Sequence, residues 1–154
     1  MINTILITNW NGNILFSKYY NSITEEKQIE FEKLLYQFTK DEWLNSKGEK
    51  HLVTEFGGSV TVYTNVGDLL LFVSGSDEYD ELALSDILIP ITDSIKDMCK
   101  KKGVTETHYI EQIPKFVLYL DEIIQRGQLD QVQFEIVSNY SSLKHDQPLK
   151  KESL

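Results

Sequence analysis

An α/β sandwich, with helices covering both faces of one sheet, is the fold class that this 154-residue sequence predicts. Three observations point to it. Ile5 to Tyr20 reads as two extended runs about Asn11-Gly12; three more extended runs lie between His51 and Val73; and after Gly75 the apolar period changes from two to about 3.6. The order is strand, strand, helix, three strands, helix, helix.

The opening hairpin organises the rest. Asn11-Gly12 tolerates the positive φ angles of a tight turn. Ile5 and Ile7 point to one face and Leu6 to the other, with Thr4 and Thr8 beside it, so neither face is a water face and the strand belongs mid-sheet. Ser22 and Glu25 have capping-box spacing, and Phe31, Leu34, Leu35 and Phe38 then recur at i, i+3, i+4 and i+7, predicting a first helix over 24–40. Asp41 to Lys50, with Asn45, Ser46 and Gly48, reads as a loop carrying Trp43. His51 to Phe56, Ser59 to Asn65 and Leu69 to Val73 follow as strands joined at Gly57-Gly58 and Gly67-Asp68. The last is apolar on both faces and belongs beside the first strand, with the polar His51 strand at the edge.

Leu84, Ile87, Leu88, Ile91, Ile95 and Met98 define a helix over 79–101. Pro90 inside it predicts a kink near Leu88 or a late start. A third helix is expected over 106–126, with Ile110, Ile113, Val117, Leu120 and Ile124 on one side, Pro114 bending or marking its start, and Gly127 ending it. Leu129, Val132, Ile136, Tyr140 and Leu143 suggest a fourth short helix. One domain is expected over 1–143, and 144–154, KHDQPLKKESL, reads as a flexible polar tail with little apolar content to offset ordering.

Composition narrows the function classes. A 41% hydrophobic chain of this length can bury a real core. No apolar run reaches the roughly 18 residues of a membrane span, and no secretory signal pattern opens the chain, so a cytoplasmic protein is expected. Cys99 stands alone and reads as a small filler in a reducing compartment. The net charge of −9 argues against nucleic acid and against unaided binding to an anionic membrane. Lys100, Lys101 and Lys102, the densest basic run, read as complements to a helix dipole ahead of Gly103.

The motifs that carry chemistry are missing. His51, His108 and His145 have no ligand spacing, and no nucleophile elbow and no Cys/His pair at a recognisable motif spacing is present. Asp77, Glu78, Asp80 and Glu81 lack the glycine and periodicity of a calcium loop, and acidic residues suit a helix N-terminus. No catalytic residue, metal ligand or cofactor is expected, and the pattern reads as a scaffold or binding module.

Several motifs nevertheless resemble a known family. ILITNWNGNILFSKYY is similar to its apolar strand, Asn/Asp-x-x-Gly turn and second strand ending in Lys-aromatic-Tyr, here Lys18, Tyr19 and Tyr20. Glu26-Lys27-Gln28 through Phe31-Glu32-Lys33 looks like the first helix of coatomer zeta. Asp68-Leu69, Gly75-Ser76 and Glu81-Leu82 fall where zeta has them, and Leu120-Asp121-Glu122-Ile123 before Gly127 resembles a signature shared by sigma and zeta. Over residues 1–137 the chain thus resembles the longin-type small subunits of heterotetrameric vesicle coats and adaptors: coatomer zeta, the adaptor sigma chains and the TSET small subunit. A zeta-like middle with a sigma-like start favours the TSET branch over coatomer zeta in Golgi-to-endoplasmic-reticulum transport.

The resemblance implies a longin/SNARE-like α+β fold: a five-stranded antiparallel sheet with one helix on one face and two or more on the other. It implies a non-catalytic role in vesicle-mediated transport. The partner would be the trunk of a large α-solenoid subunit, with membrane association at the plasma membrane or Golgi/endosome arising indirectly, through partners and an Arf-class GTPase. Longin modules outside coats, such as tethers or GTPase regulators, are the rival class. Trp10, Tyr19 and Tyr20 are candidate partner contacts. In sigma chains that read acidic dileucine signals, a second-strand arginine pairs with the acidic residue; here that position is Leu15, which supplies no charge.

Overall fold

Ile2–Asn9 forms the first strand, β1, and every one of its residues is buried, as a strand covered on both faces must be. A computed structural model describes residues 2–45 and 51–139, with side chains over 2–42, 51–55 and 57–126. β1 is followed by β2 (Ile14–Tyr19), α1 (Glu25–Asn45), β3 (Leu52–Phe56), β4 (Ser59–Val66), β5 (Leu69–Gly75), α2 (Glu81–Met98) and α3 (Glu106–Asn139). The sheet order is β2-β1-β5-β4-β3, with every pair antiparallel. The apolar β5 is central beside β1, and the polar β3 is an edge, as their sequences require.

Alternation sorts the core into two layers. Ile5, Ile7, Val62, Val66, Leu69, Leu71 and Val73 face α2 and α3. Leu6, Tyr63, Leu70 and Phe72 face α1. Two bulges adjust this parity. The β1–β5 register shifts between Ile2 and Thr4, which brings Ile2 into the α2/α3 layer with Ile5. The β1–β2 register shifts between Ile7 and Thr8, skipping Leu15, so Leu15 and Phe16 both pack on that layer.

The hairpin turn differs from a two-residue turn at Asn11-Gly12. Only Gly12 takes positive φ (85°). The Asn9 carboxamide oxygen accepts from the backbone N–H of Asn11 and of Asn13, and the Asn9 carbonyl accepts from Gly12, a side chain imitating a turn. A Cβ on Gly12 would stand 2.6 Å from the Tyr36 ring. Gly67 is equally constrained: its φ is +55°, a Cβ would press on the Val104 carbonyl oxygen, and Asp68 N–H donates to that same oxygen.

α1 begins within a residue of the expected start and runs further than its sequence suggests. Thr24 caps it, accepting from Lys27 N–H, in place of Ser22. Asp41–Asn45, read as the start of a loop, are helical. No Gly or Pro breaks that stretch, and the Tyr63 hydroxyl donates to Glu42 at 2.6 Å, holding the last turns to the sheet. Phe38, expected in the core, is 54% exposed; of the predicted stripe only Leu35 is fully buried.

α2 buries its whole predicted stripe and adds Thr92. Its N-cap is Asp80, whose carboxylate accepts from Ala83 N–H at 3.0 Å, and Glu81 lies in the first turn, so these two acidic residues have a structural purpose. The helix does not start late and is unbroken through Pro90. The carbonyl Pro90 leaves unpaired is that of exposed Asp86, where water can serve it.

α3 starts at Glu106, eight residues before Pro114, and continues through Gly127 to Asn139 as one helix. Gly127 is therefore not a stop, and the described part of the expected fourth helix, through residue 139, is the far end of α3, with Tyr140 and Leu143 outside the described residues. A mid-helix glycine costs only about 1 kcal/mol relative to alanine. The buried stripe of α3 is Tyr109, Phe116, Leu120 and Ile124, while Ile110 is exposed. Phe16 and Tyr109 both meet the Phe116 ring edge-on at 5.3 and 5.5 Å, contacts that favour the aromatic stripe. The expected tail, 144–154, and the domain boundary at 143 lie outside the described residues.

Candidate functional site

The three candidate contact aromatics stand at different places. Trp10, in the hairpin turn, donates its indole N–H to the Gly67 carbonyl at 3.1 Å and packs on the α1-side layer, tying the β1–β2 turn to the β4–β5 turn. Tyr19 also faces α1; its hydroxyl donates to Glu32 at 2.7 Å. Burial first, then the Glu32 hydrogen bond and charge, push that hydroxyl far above its ordinary pKa. Tyr20 faces the other way, against the α2/α3 layer. Burial, followed by the Asp121 charge, pushes its hydroxyl up to about 12. Lys18 Nζ stands 5.8 Å from the Tyr20 ring centroid. All three rings are half-buried, and their inner edges serve this chain's own packing.

Leu15 is half-buried at the β2 bulge, packed on the α2/α3 layer. Among the described residues no group of three or more His, Cys, Asp or Glu side chains could hold a metal ion, and no described helix is long and apolar enough to cross a membrane. Cys99 is fully buried, and burial pushes its thiol up, which suppresses thiolate chemistry. His108 is buried at the start of α3, its ring Nδ1 3.4 Å from the Gly103 carbonyl. His145 lies outside the described residues.

The sequence reading overlooked the outer helix faces. Leu82 and Ile89 on α2 and Ile110 and Leu118 on α3 are exposed. For Leu82, Ile89 and Leu118 the signal was present, since each is an apolar residue standing off its helix's expected stripe, whereas Ile110 belongs to the expected stripe itself.

A five-stranded antiparallel sheet with helices on both faces is a longin-like α+β build. Family comparison agrees: residues 1–147 match the family described as clathrin adaptor complex small chain, and the chain belongs to that family. It is a small subunit of the adaptor and coat type that serves vesicle traffic. Among curated proteins it is 73% identical, over the full length of both chains, to TSET complex member tstD of Dictyostelium discoideum. It is 32% identical to human coatomer subunit zeta-2 over 128 residues, 82% of this chain and 57% of that one. Rice coatomer subunit zeta-1 is 29% identical over 82% of this chain and 70% of its own length. Among structures, a chain from a homology model of the full-length AP-3 complex in a stretched open conformation shares the fold, with a TM-score of 0.60 at 20% identity, covering 94% of this chain and 100% of that one.

Proposed function

We propose that this chain is the small, non-catalytic subunit of a TSET-type coat. The carrying observation is the 73% identity from end to end with a TSET complex member, against 32% with a coatomer zeta. In this role the chain packs against the trunk of a large α-solenoid subunit within a heterotetramer or larger complex. It acts in the cytoplasm and reaches a plasma-membrane, Golgi or endosomal surface only indirectly, through its partners and an Arf-class GTPase. The acidic charge supports that indirect route, because a net −9 chain is repelled by an anionic leaflet.

Trp10, Tyr19 and Tyr20 can contribute contacts only through their outer edges. Recognition of acidic dileucine signals in the sigma manner is not part of this role, since Leu15 offers no cation.

Affinity purification of the tagged chain from its native cell, followed by mass spectrometry, tests the proposal. A large helical-repeat chain with sequence similarity to TSET large subunits is expected in near-stoichiometric amount. Recovery of coatomer chains instead would move the protein to the zeta role, and recovery of the chain by itself would overturn the subunit role.

A further inference from the structure

α3 is longer than the sheet it covers. Its first turn meets the end of β1, where the Glu106 carboxylate lies 3.4 Å from the Asn9 carboxamide nitrogen. Further on, Phe116 meets Phe16, which pairs with Ile7, and the Asp121 charge acts on Tyr20, whose N–H donates to the Asn3 carbonyl. The helix therefore runs antiparallel to β1 and draws level with Asn3 at Asp121. Past that row β1 continues only to Ile2 and β4 to Ser59, about 7 Å of sheet. α3 continues from Asp121 to Asn139, about 27 Å. Its final stretch, 127–139, reaches past the end of the sheet.

The sequence of that stretch changes face. At about 3.6 residues per turn, Gly127, Gln131, Phe134 and Ser138 continue the line of the buried Phe116, Leu120 and Ile124, so the inward line turns largely polar where the sheet ends. Leu129, Val132 and Ile136 fall on the opposite side of the helix. That is the side of Leu118, which is 70% exposed. An outward apolar row thus begins at Leu118 and runs on past the sheet, and the spacing that suggested a separate fourth helix belongs to this row.

Its size selects the occupant. Burial of an aliphatic side chain removes on the order of 100 Å² from water, so two copies of the chain joined through four such residues each would bury about 800 Å². A stable complex needs about 1,200 Å² or more. The row is too small to hold a partner by itself, and it suits one that is already held elsewhere on the chain. We propose that the outward row of α3 packs against an α-helix of the large chain, as a second contact beyond the sheet; this rests on the subunit role proposed above. A helix is the fitting shape, because residues at this spacing form a ridge that enters the groove of another helix.

The test uses the full-length chain and the large chain identified in its purification, co-expressed and compared by affinity. L129E/I136E is expected to weaken binding roughly tenfold or more, and L118E to weaken it by a smaller factor. Q131E/S138E, on the other side of the same stretch, should change it less than about twofold. The isolated L129E/I136E chain should melt with the wild type, because the core residues of α3 end at Ile124; a clear fall in its melting temperature would place these residues in the chain's own packing and overturn the proposal. Wild-type affinity in L129E/I136E, or an equal loss in Q131E/S138E, overturns the second contact and leaves the subunit role standing. Absence of any large chain in the wild-type purification overturns both. Self-association in sedimentation, or binding to phosphatidylserine vesicles, that L129E/I136E abolishes would overturn the assigned occupant.

Discussion

The two faces of the sheet are covered by different means. On one, α2 buries seven residues of eighteen, and α3 adds Tyr109, Phe116, Leu120 and Ile124. On the other, α1 is longer, at 21 residues, yet among its described residues only Leu35 and Thr39 are buried. Phe31 and Tyr36 add half-buried apolar packing, and the hydroxyls of Tyr19 and Tyr63 donate to Glu32 and Glu42. Hydrophobic stabilisation scales with area removed from water, whereas one net hydrogen bond contributes only about 1 kcal/mol. Helix length is therefore a poor guide to how firmly a helix is held, and α1 should be the first element to open.

Truncations on the two faces sharpen that contrast most. Leu88, fully buried on α2, should lose about 3–5 kcal/mol as L88A, and Leu35 on α1 about 2 kcal/mol as L35A, because the looser face can relax into the gap. Phe38, largely exposed, should change stability by less than about 0.5 kcal/mol as F38A. Urea titration measures all three, and equal losses at Leu88 and Leu35 would break the comparison. Hydrogen exchange should show α1 amides opening ahead of α2 amides.

Next in size is the joint where the two turns meet. G67A sets a methyl against the Val104 carbonyl oxygen at positive φ and should cost roughly 1–3 kcal/mol in the same titration. D80A, which removes the α2 cap, should cost about 1 kcal/mol. Y63F, which releases the far end of α1, should cost a similar amount and speed exchange in α1 while leaving α2 unchanged.

The smallest effect concerns His51. Burial holds its imidazole below the ordinary value. The unfolded chain therefore takes up this proton at higher pH than the folded one, so its contribution to stability is intact above about pH 6.5 and is lost as the pH falls below that value. The melting temperature of H51N should decline less than that of the wild type between about pH 6.5 and 5.

Sequence showed the strands better than the ends of the helices. Alternation in ILIT and the doubly apolar LLLFV were enough to place β1 and β5 side by side, because burial on both faces leaves a strand no other position. The bulges at Asn3 and Leu15 were not legible, since a single skipped residue leaves composition unchanged while reversing which face the side chains meet. α1 was cut short at Lys40 because the tie that carries it onward, Tyr63 to Glu42, joins residues distant in sequence. Gly127 was read as a stop because a C-cap and a tolerated interior glycine look alike in sequence. On α3 the expected Leu120 and Ile124 are in the core and Ile113 packs against it, but aliphatic spacing also favoured Ile110 and Val117, where the rings of Tyr109 and Phe116 fill the layer. The candidate aromatics were visible as residues, but the partners that occupy their inner edges were not.

The proposed subunit role requires that this small sandwich be held by a larger protein. The native mass of the endogenous chain, measured by size-exclusion chromatography with light scattering on a gently lysed cell extract and immunodetection, addresses it most directly. The account predicts that the chain elutes many times above its own 17.9 kDa, together with a large helical-repeat subunit; elution of the endogenous pool at 17.9 kDa would contradict it.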